Sequence, residues 1–399
     1  MGPRVLLTTT MRWPSVARLA SAFAGVGAAV EALLPRGHIA GKSRFVARTH
    51  AYDPLFPHGA LARAIADAAP DLIVPCDDRA LGQLLALPKR DRALLERSLG
   101  RLESYDTLLA RQDFIAAARA LGLLAPKTLR IERADDLDAG LAAIGFPAVL
   151  KIDRSWGGEG TAIVHDPVQA RTAFARLAQT PSRGRSVLRA VLRGDSHFLR
   201  DAASPRTPVV NVQAFVPGKP ATSAFACWKG RVLASIHVDV LETLTPRGPA
   251  TVMRRVVCAQ MEQAAIRVAE QFGLSGLHGL DFVRDEMGRA HLIEMNPRAT
   301  QASAFAFGPG HDLAAALTGC LTPGARWPRP LLTENPVIAL FPQEWRRDPD
   351  SPWLHSAYAD VPWDDPELLR ACLAPGERPP ERKRGDAAPA LTLRQAVGR

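Results

Sequence analysis

The chain is predicted to combine two architectures, α/β and α+β, in that order. Three observations predict this. Strand-like and helix-like apolar segments alternate near the beginning, the pattern changes near Leu108 to a succession of longer strands, and 399 residues exceed what one compact core accommodates. Alternating strands and helices imply a parallel sheet, because each crossover helix covers one of its faces.

RVLLTTT (Arg4 to Thr10) reads as a short buried strand, Ser15 to Pro35 as one amphipathic helix, and DLIVPCDD (Asp71 to Asp78) as a second strand running into an acidic turn. Gly25 and Gly27 fall inside the helix pattern, so they form no dinucleotide-binding fingerprint. From Leu108, RQDFIAAARALG is a helix closed by Gly122 and stopped by Pro126. Strands follow at Phe146 to Asp153, Val209 to Val216, Ser223 to Lys229, Arg231 to Glu242, Leu277 to Asp285 and Ala290 to Pro297, with the amphipathic helix MEQAAIRVAEQFGL among them. The expected divisions are 1-107, 108-212, 213-330 and a C-terminal extension over 331-399, whose last 25 residues lack the patterning of a packed core.

Composition limits the function classes. With 47% hydrophobic and 23% charged residues, the chain is ordinary globular protein rather than disordered. Arg, Asp or Pro interrupts every apolar run well short of the roughly 20 residues of a membrane span. The opening MGPRVLL has an apolar stretch far below the about 7–15 residues of a secretory signal, so a cytoplasmic protein is expected. Cys76, Cys227, Cys258, Cys320 and Cys372 are odd in number and widely spaced, which suggests reduced thiols and neither zinc nor a disulfide framework. The net charge of +10 is diffuse, carried by 43 arginines among 50 cations, and the one dense cluster is Arg382, Lys383 and Arg384. It points to a phosphate-rich small substrate rather than to nucleic acid.

The sharpest constellation is LHGLDFVRDEMGRAHLIEMNPR, two apolar strands around a turn containing Gly288. With a loop of Glu286 to Arg289, Asp281 lies directly across from Glu294. Like charges so opposed destabilise a sheet, and something must compensate. Asn296, two residues beyond Glu294, shares its face, and the three oxygen ligands suit a hard divalent cation such as Mg²⁺. Upstream, FPAVLKIDRSWGGEG ends a strand with Lys151 and follows it with Gly157, Gly158 and Gly160. A point-charge ammonium and a glycine-rich loop of backbone N–H groups both suit phosphate oxygens. A plain glycine turn and a solvated carboxylate face are the structural alternatives.

Lys151 with its glycine loop, the segment VVNVQAFVPG, and the run from Asp281 to Glu294 and Asn296 occur in an order and spacing that resemble the ATP-grasp superfamily, over about Leu108 to Leu321. The resemblance implies an N-terminal Rossmann-like pre-ATP-grasp domain, then a small or lid subdomain over 108-212 and a metal-binding subdomain over 213-330. ATP would lie between the two subdomains. By the same resemblance Asp281, Glu294 and Asn296 bind one or two Mg²⁺ ions, with Mn²⁺ acceptable, and Lys151 contacts the α/β-phosphates. Gln213 through Val216 form the hinge, with Gln213 and the backbone near Phe215 and Val216 reading adenine. Arg298 matches the arginine that faces the reacting carboxylate. Two departures stand out: Arg111 occupies the place of a second phosphate lysine, and Lys219, Pro220 and Ala221 replace the acidic residue that binds ribose.

The expected chemistry is ATP-dependent activation of a small carboxylic acid, an amino acid among the options, as an acyl phosphate, followed by attack of an amine. No Cys or Ser nucleophile is required. Arg254 and Arg255 are candidate acid contacts, and strand alternation directs only one of them inward. His278 reads as a packed histidine, while Trp156 either covers ligand or anchors the loop. The partners expected are a small-molecule carboxylate and an amine, without nucleic acid or membrane; a homodimer is admissible. The rival readings are an ATP-grasp kinase or phosphotransferase and a non-catalytic nucleotide-binding module.

Overall fold

The computed structural model describes residues 2–133, 135–153, 160–179, 184, 208–246, 248–324 and 328–374. Its first sheet is parallel, with β1 (Arg4–Thr8), β2 (Ala29–Leu34), β3 (Arg48–Ala51) and β4 (Leu72–Pro75) in the order β3-β2-β1-β4. Val5, Leu6 and Leu7 are all buried, as a strand covered on both faces requires.

The single helix expected from Ser15 to Pro35 is corrected. Helix Ser15–Ala24 ends where Gly27 takes a φ of 76°, and Ala29–Leu34 forms β2, with Val30 in register beside Val5. A short apolar run suits a buried parallel strand as well as a helix, and the two glycines that end the helix are the signal that separates them. They lie in a helix-to-strand turn, so the absence of a dinucleotide fingerprint stands on different ground.

The small sheet comes next in the chain, with β5 (Thr128–Ile131), β6 (Ala148–Ile152), β7 (Thr161–Val164) and β8 (Val210–Ala214) in the order β5-β8-β6-β7. The large sheet holds seven strands: β9 (Lys219–Trp228), β10 (Arg231–Thr243), β11 (Ala250–Arg255), β12 (Gly276–Arg284), β13 (Ala290–Asn296), β14 (Val337–Ala339) and β15 (Tyr358–Ala359). They run in the order β13-β12-β9-β10-β11-β14-β15. Lys229 at φ 50° and Gly230 at φ 82° make the tight turn from β9 to β10, where both central residues must adopt the left-handed region. β14 and β15 belong to the segment expected as an extension, and they continue the sheet from β11. That segment then returns to the N-terminal unit: Arg18 Nε donates to Asp360 at 3.0 Å, and Ser43 Oγ donates to Asp365 at 2.6 Å.

The core of the small sheet, with Ile131, Leu150, Val164 and Val212, shares no residue with the other two cores. Those two cores each mix the N-terminal unit with the seven-stranded sheet: Leu7 clusters with Ile236 and Ile338, and Ile73 with Phe225 and Phe282. The N-terminal unit and the large sheet therefore pack as one body, and the small sheet forms a second. Among the described residues no helix is long and apolar enough to cross a membrane.

Candidate functional site

The hairpin of β12 and β13 supplies the acidic half of the site. Gly279 pairs with Asn296, Leu280 with Met295 and Asp281 with Glu294, while Phe282 pairs with Leu292. The extra residue, Ile293, makes a bulge. The connection runs from Asp285 to Arg289, not Glu286 to Arg289, and it sets Arg284 against Ala290. Continued without a bulge, that register would place Ile293 opposite Asp281; the bulge advances β13 by one residue and restores Glu294 there. Asp281, Glu294 and Asn296 thus share one face. Leu280, Phe282, Leu292 and Met295 lie in the core on the other. A Cβ on Gly279 would fall 2.4 Å from Thr300 Cγ2, so glycine keeps the strand close to the chain that follows Asn296.

The basic half comes from the small sheet and the helix before it. Lys151, on β6, is buried with 7% of its surface exposed, and lies opposite Asn211 of β8. Arg111, the first residue of helix Arg111–Ala120, sends its guanidinium across to the hairpin, with Nη2 2.9 Å from Glu294 Oε1 and Nη1 2.8 Å from Oε2. Its Nη2 also lies 3.4 Å from the Ile152 carbonyl, and its backbone N–H 3.4 Å from Asp153 Oδ1. Asn211 Nδ2 donates to the same Asp153 oxygen at 2.8 Å.

The charges act on one another. Burial, reinforced by Arg111, lowers the Lys151 ammonium from its ordinary 10.5 to about 8, against the pull of Glu294 and Asp281. Burial followed by the Glu294 charge raises Asp281, although hydrogen bonds from Asn296 and Thr222 oppose this. Burial works against ionised Glu294 too, but the Arg111 pair outweighs it and lowers that carboxyl. One carboxylate of the opposed pair is therefore held ionised by a cation, which is the compensation the sequence demanded.

Arg298 ties this hairpin to the N-terminal unit. Its Nε donates to Asp78 at 3.0 Å and its Nη2 to Asn296 Oδ1 at 3.2 Å, while Asn296 Nδ2 donates to Asp281 Oδ2 at 2.9 Å. Asp78 begins the helix after β4, and the adjacent Asp77 caps it through Arg79 and Ala80. Asp77 also accepts from Thr9 Oγ, Thr10 N and Thr10 Oγ, which fixes the loop after β1. Cys76 beside them is no nucleophile, since burial and Asp77 push its thiol up.

Asp281, Glu294, Asn296, Lys151, Arg111 and Arg298 are thus brought together. Gln213 reaches the same junction, but its Nε2 donates to Thr128 Oγ at 2.9 Å and lies 3.5 Å from the Ile293 carbonyl. Phe215 and Val216 are half-buried in the connection from β8 to β9, and Gly160 is buried beside Ile152, whose N–H bonds its carbonyl at 3.0 Å. Gly157, Gly158 and Trp156 lie outside the described residues.

Register separates the two candidate arginines. Glu294, Asp281, Thr222, Val238 and Arg255 form one row across the sheet, so Arg255 faces the site side, about 14 Å from Asp281 at three strand spacings. Its guanidinium stacks on Phe307, 4.7 Å from the ring centre. The expectation for Arg254 is corrected: it is exposed on the opposite face, across from Asp239. His278 is fully buried against Phe225, where its Nε2 donates to the Ser275 carbonyl at 2.8 Å, and burial lowers it to about 4. It is a packed neutral histidine.

Sequence reasoning missed Asp153, Asn211, Thr222 and Asp78. Asn211 and Thr222 carry no motif of their own and are found only through the register opposite Lys151 and Asp281.

Comparison with known proteins gives this arrangement its family. Residues 125–302 match the family model of the ATP-grasp domain. These residues form an ATP-grasp domain. The large chain of carbamoyl phosphate synthase from Gemmatimonas aurantiaca is 29% identical over 203 residues, covering 51% of this chain but only 17% of that protein. The chain therefore spans a small part of that relative's length. Among solved structures, N5-carboxyaminoimidazole ribonucleotide synthetase from Thermus thermophilus superposes with a TM-score of 0.57 at 16% identity, over 78% of this chain and 77% of that one. The L-amino acid ligase from Bacillus licheniformis gives 0.53 at 14% identity, over 80% and 74%. The ATP-grasp fold with a preceding parallel α/β unit, as the sequence resemblance implies, is the fold of this chain.

Proposed function

We propose that this ATP-grasp chain is an ATP-dependent ligase that activates a small carboxylic acid, an amino acid being the first to try, as an acyl phosphate and couples it to an amine. One observation carries the reading: two carboxylates and an amide on the large sheet meet Lys151 of the small sheet and Arg111, from a helix packed in the large sheet's core, at a single junction. The relatives, named as a synthase, a synthetase and a ligase, support the class.

In this reading an oxygen of the substrate carboxylate attacks the γ-phosphorus of ATP, and the bond to ADP breaks. The amine then attacks the carbonyl carbon, and inorganic phosphate leaves with the bonding electrons. Lys151 and Arg111 hold the phosphates, and burial strengthens both contacts. Asp281, Glu294 and Asn296 are the oxygen donors for one or two Mg²⁺ ions, or Mn²⁺, which when bound would neutralise phosphate charge. Among the described residues no group of three His, Cys, Asp or Glu side chains is arranged for a metal, so phosphate and water must complete this donor set.

With Gln213 Nε2 bonded to Thr128, its Oε1 and the backbone groups near Phe215 and Val216 are the groups that read adenine in this proposal. Arg298, held by Asp78 of the N-terminal unit, orients the acid, and Arg255 on the same face is the more distant candidate for its far end. A cytoplasmic place accords with the free cysteines, and a homodimer is compatible with this reading.

The experiment is release of phosphate from Mg·ATP across a panel of carboxylic acids, with and without amines, with products identified by mass. The reading predicts release that depends on both the acid and the amine, and a product heavier than the acid by the amine less water. A stable phosphorylated product without amine would identify a kinase. No turnover with any acid, alongside tight ATP binding, would identify a binding module.

A further inference from the structure

Each side chain of the donor trio already has a protein partner. Both Glu294 oxygens face the Arg111 guanidinium, at 2.9 and 2.8 Å, Asp281 Oδ2 accepts from Asn296, and Asn296 Oδ1 accepts from Arg298. Arg111, whose side chain is only 6% exposed, makes one of these a charge-assisted hydrogen bond, Nη2 to Oε1, with Nη1 at ion-pair distance from Oε2 and, like Nε, without a hydrogen-bond partner of its own among the described residues. A lysine there would bring a point charge without a fork. We infer that Arg111 is a latch: in the nucleotide-free protein it occupies Glu294, and it releases that carboxylate to a divalent cation only when a nucleotide phosphate takes the guanidinium.

The inference rests on the nucleotide and metal reading above and adds an order to it. Carboxylate and phosphate both match the planar fork, so one side chain can exchange one partner for the other. Arg111 is also placed for the exchange. It begins the helix that precedes the small sheet, and its guanidinium lies 3.4 Å from the carbonyl of Ile152, the residue after Lys151 on the same strand. Phosphate held by Lys151 is therefore within the same neighbourhood. Because coupling between two ligands is reciprocal, a latch that suppresses cation binding in the absence of nucleotide also makes nucleotide affinity depend more steeply on cation.

The test uses the full chain and Mn²⁺, followed by the loss of the free-ion electron paramagnetic resonance signal, for the natural protein, Arg111→Met and Arg111→Lys. Each is titrated alone and with the β,γ-imido analogue of ATP. The natural protein is expected to bind Mn²⁺ only weakly alone and tightly with the analogue. Arg111→Met is expected to bind Mn²⁺ alone about tenfold or more tightly than the natural protein, on the usual scale of coupling between sites. Arg111→Lys, which keeps the charge but loses the fork, is expected to shift in the same direction by less, and it decides the matter if circular dichroism shows Arg111→Met unfolded. Equal Mn²⁺ affinity of the natural and variant proteins without nucleotide would overturn the latch. No Mn²⁺ binding by the natural protein even with the analogue would overturn the underlying metal reading instead.

Discussion

At the scale of single residues, Glu294 stands between Asp281, Arg111 and the proposed metal. Glu294→Gln keeps an oxygen for Arg111 but removes the charge, so the fold is expected to persist. Turnover is expected to fall by about 10²- to 10³-fold, the scale of losing one preorganised electrostatic contact. Undiminished turnover in a folded variant would remove Glu294 from its assigned role. Lys151 yields a pH prediction. Its ammonium, lowered to about 8, loses its proton as pH rises through that value, so nucleotide affinity should weaken above pH 8 in a binding titration, and Lys151→Met should flatten the profile. Stability moves the other way: between pH 8 and the ordinary 10.5 the unfolded chain binds more protons, so this group's contribution to stability rises with pH. Asp281, Glu294 and Asn296 were legible because a strand repeats every two residues. The Arg111–Glu294 pair was not, since nothing in sequence tells that a residue at a helix start spans 183 positions to a hairpin.

At the scale of elements, the turns around the acidic residues matter as much as the strands. Asp77 closes the loop after β1 and caps the helix after β4, with buried N–H and hydroxyl groups depending on it. Asp77→Ala is expected to lower stability by about 2–4 kcal/mol in urea unfolding, the sum of a lost cap and an unsatisfied buried donor. A change under about half a kcal/mol, the range of ordinary surface substitutions, would show that water replaces its bonds. Whereas the short β14 and β15 lay hidden in the segment expected as an extension, four strands of the large sheet, β9, β10, β12 and β13, were legible as apolar runs. The strand β2 was not, since AVEALL follows a helix without a polar break and only Gly25 and Gly27 punctuate it. Nor was the bulge at Ile293, which two compensating shifts, a longer connection and an extra residue, hide from a count of positions.

At the scale of the molecule, the division of cores decides what can move. The small sheet has a core of its own, whereas the N-terminal unit and the large sheet share two, one of them with the C-terminal segment. The polar junction that carries Lys151, Arg111 and Glu294 therefore lies where the two bodies meet, and contacts such as Gln213 to Ile293 cross it. In the proposed function, nucleotide would enter this seam without opening an apolar core. The central claim is that a carboxylate oxygen of the substrate attacks phosphorus, and isotope transfer tests it most directly. The acid found by the panel, labelled with ¹⁸O in its carboxylate, is turned over with Mg·ATP and amine in unlabelled water, and the released phosphate is weighed. The account predicts one ¹⁸O per phosphate; phosphate carrying none would contradict it.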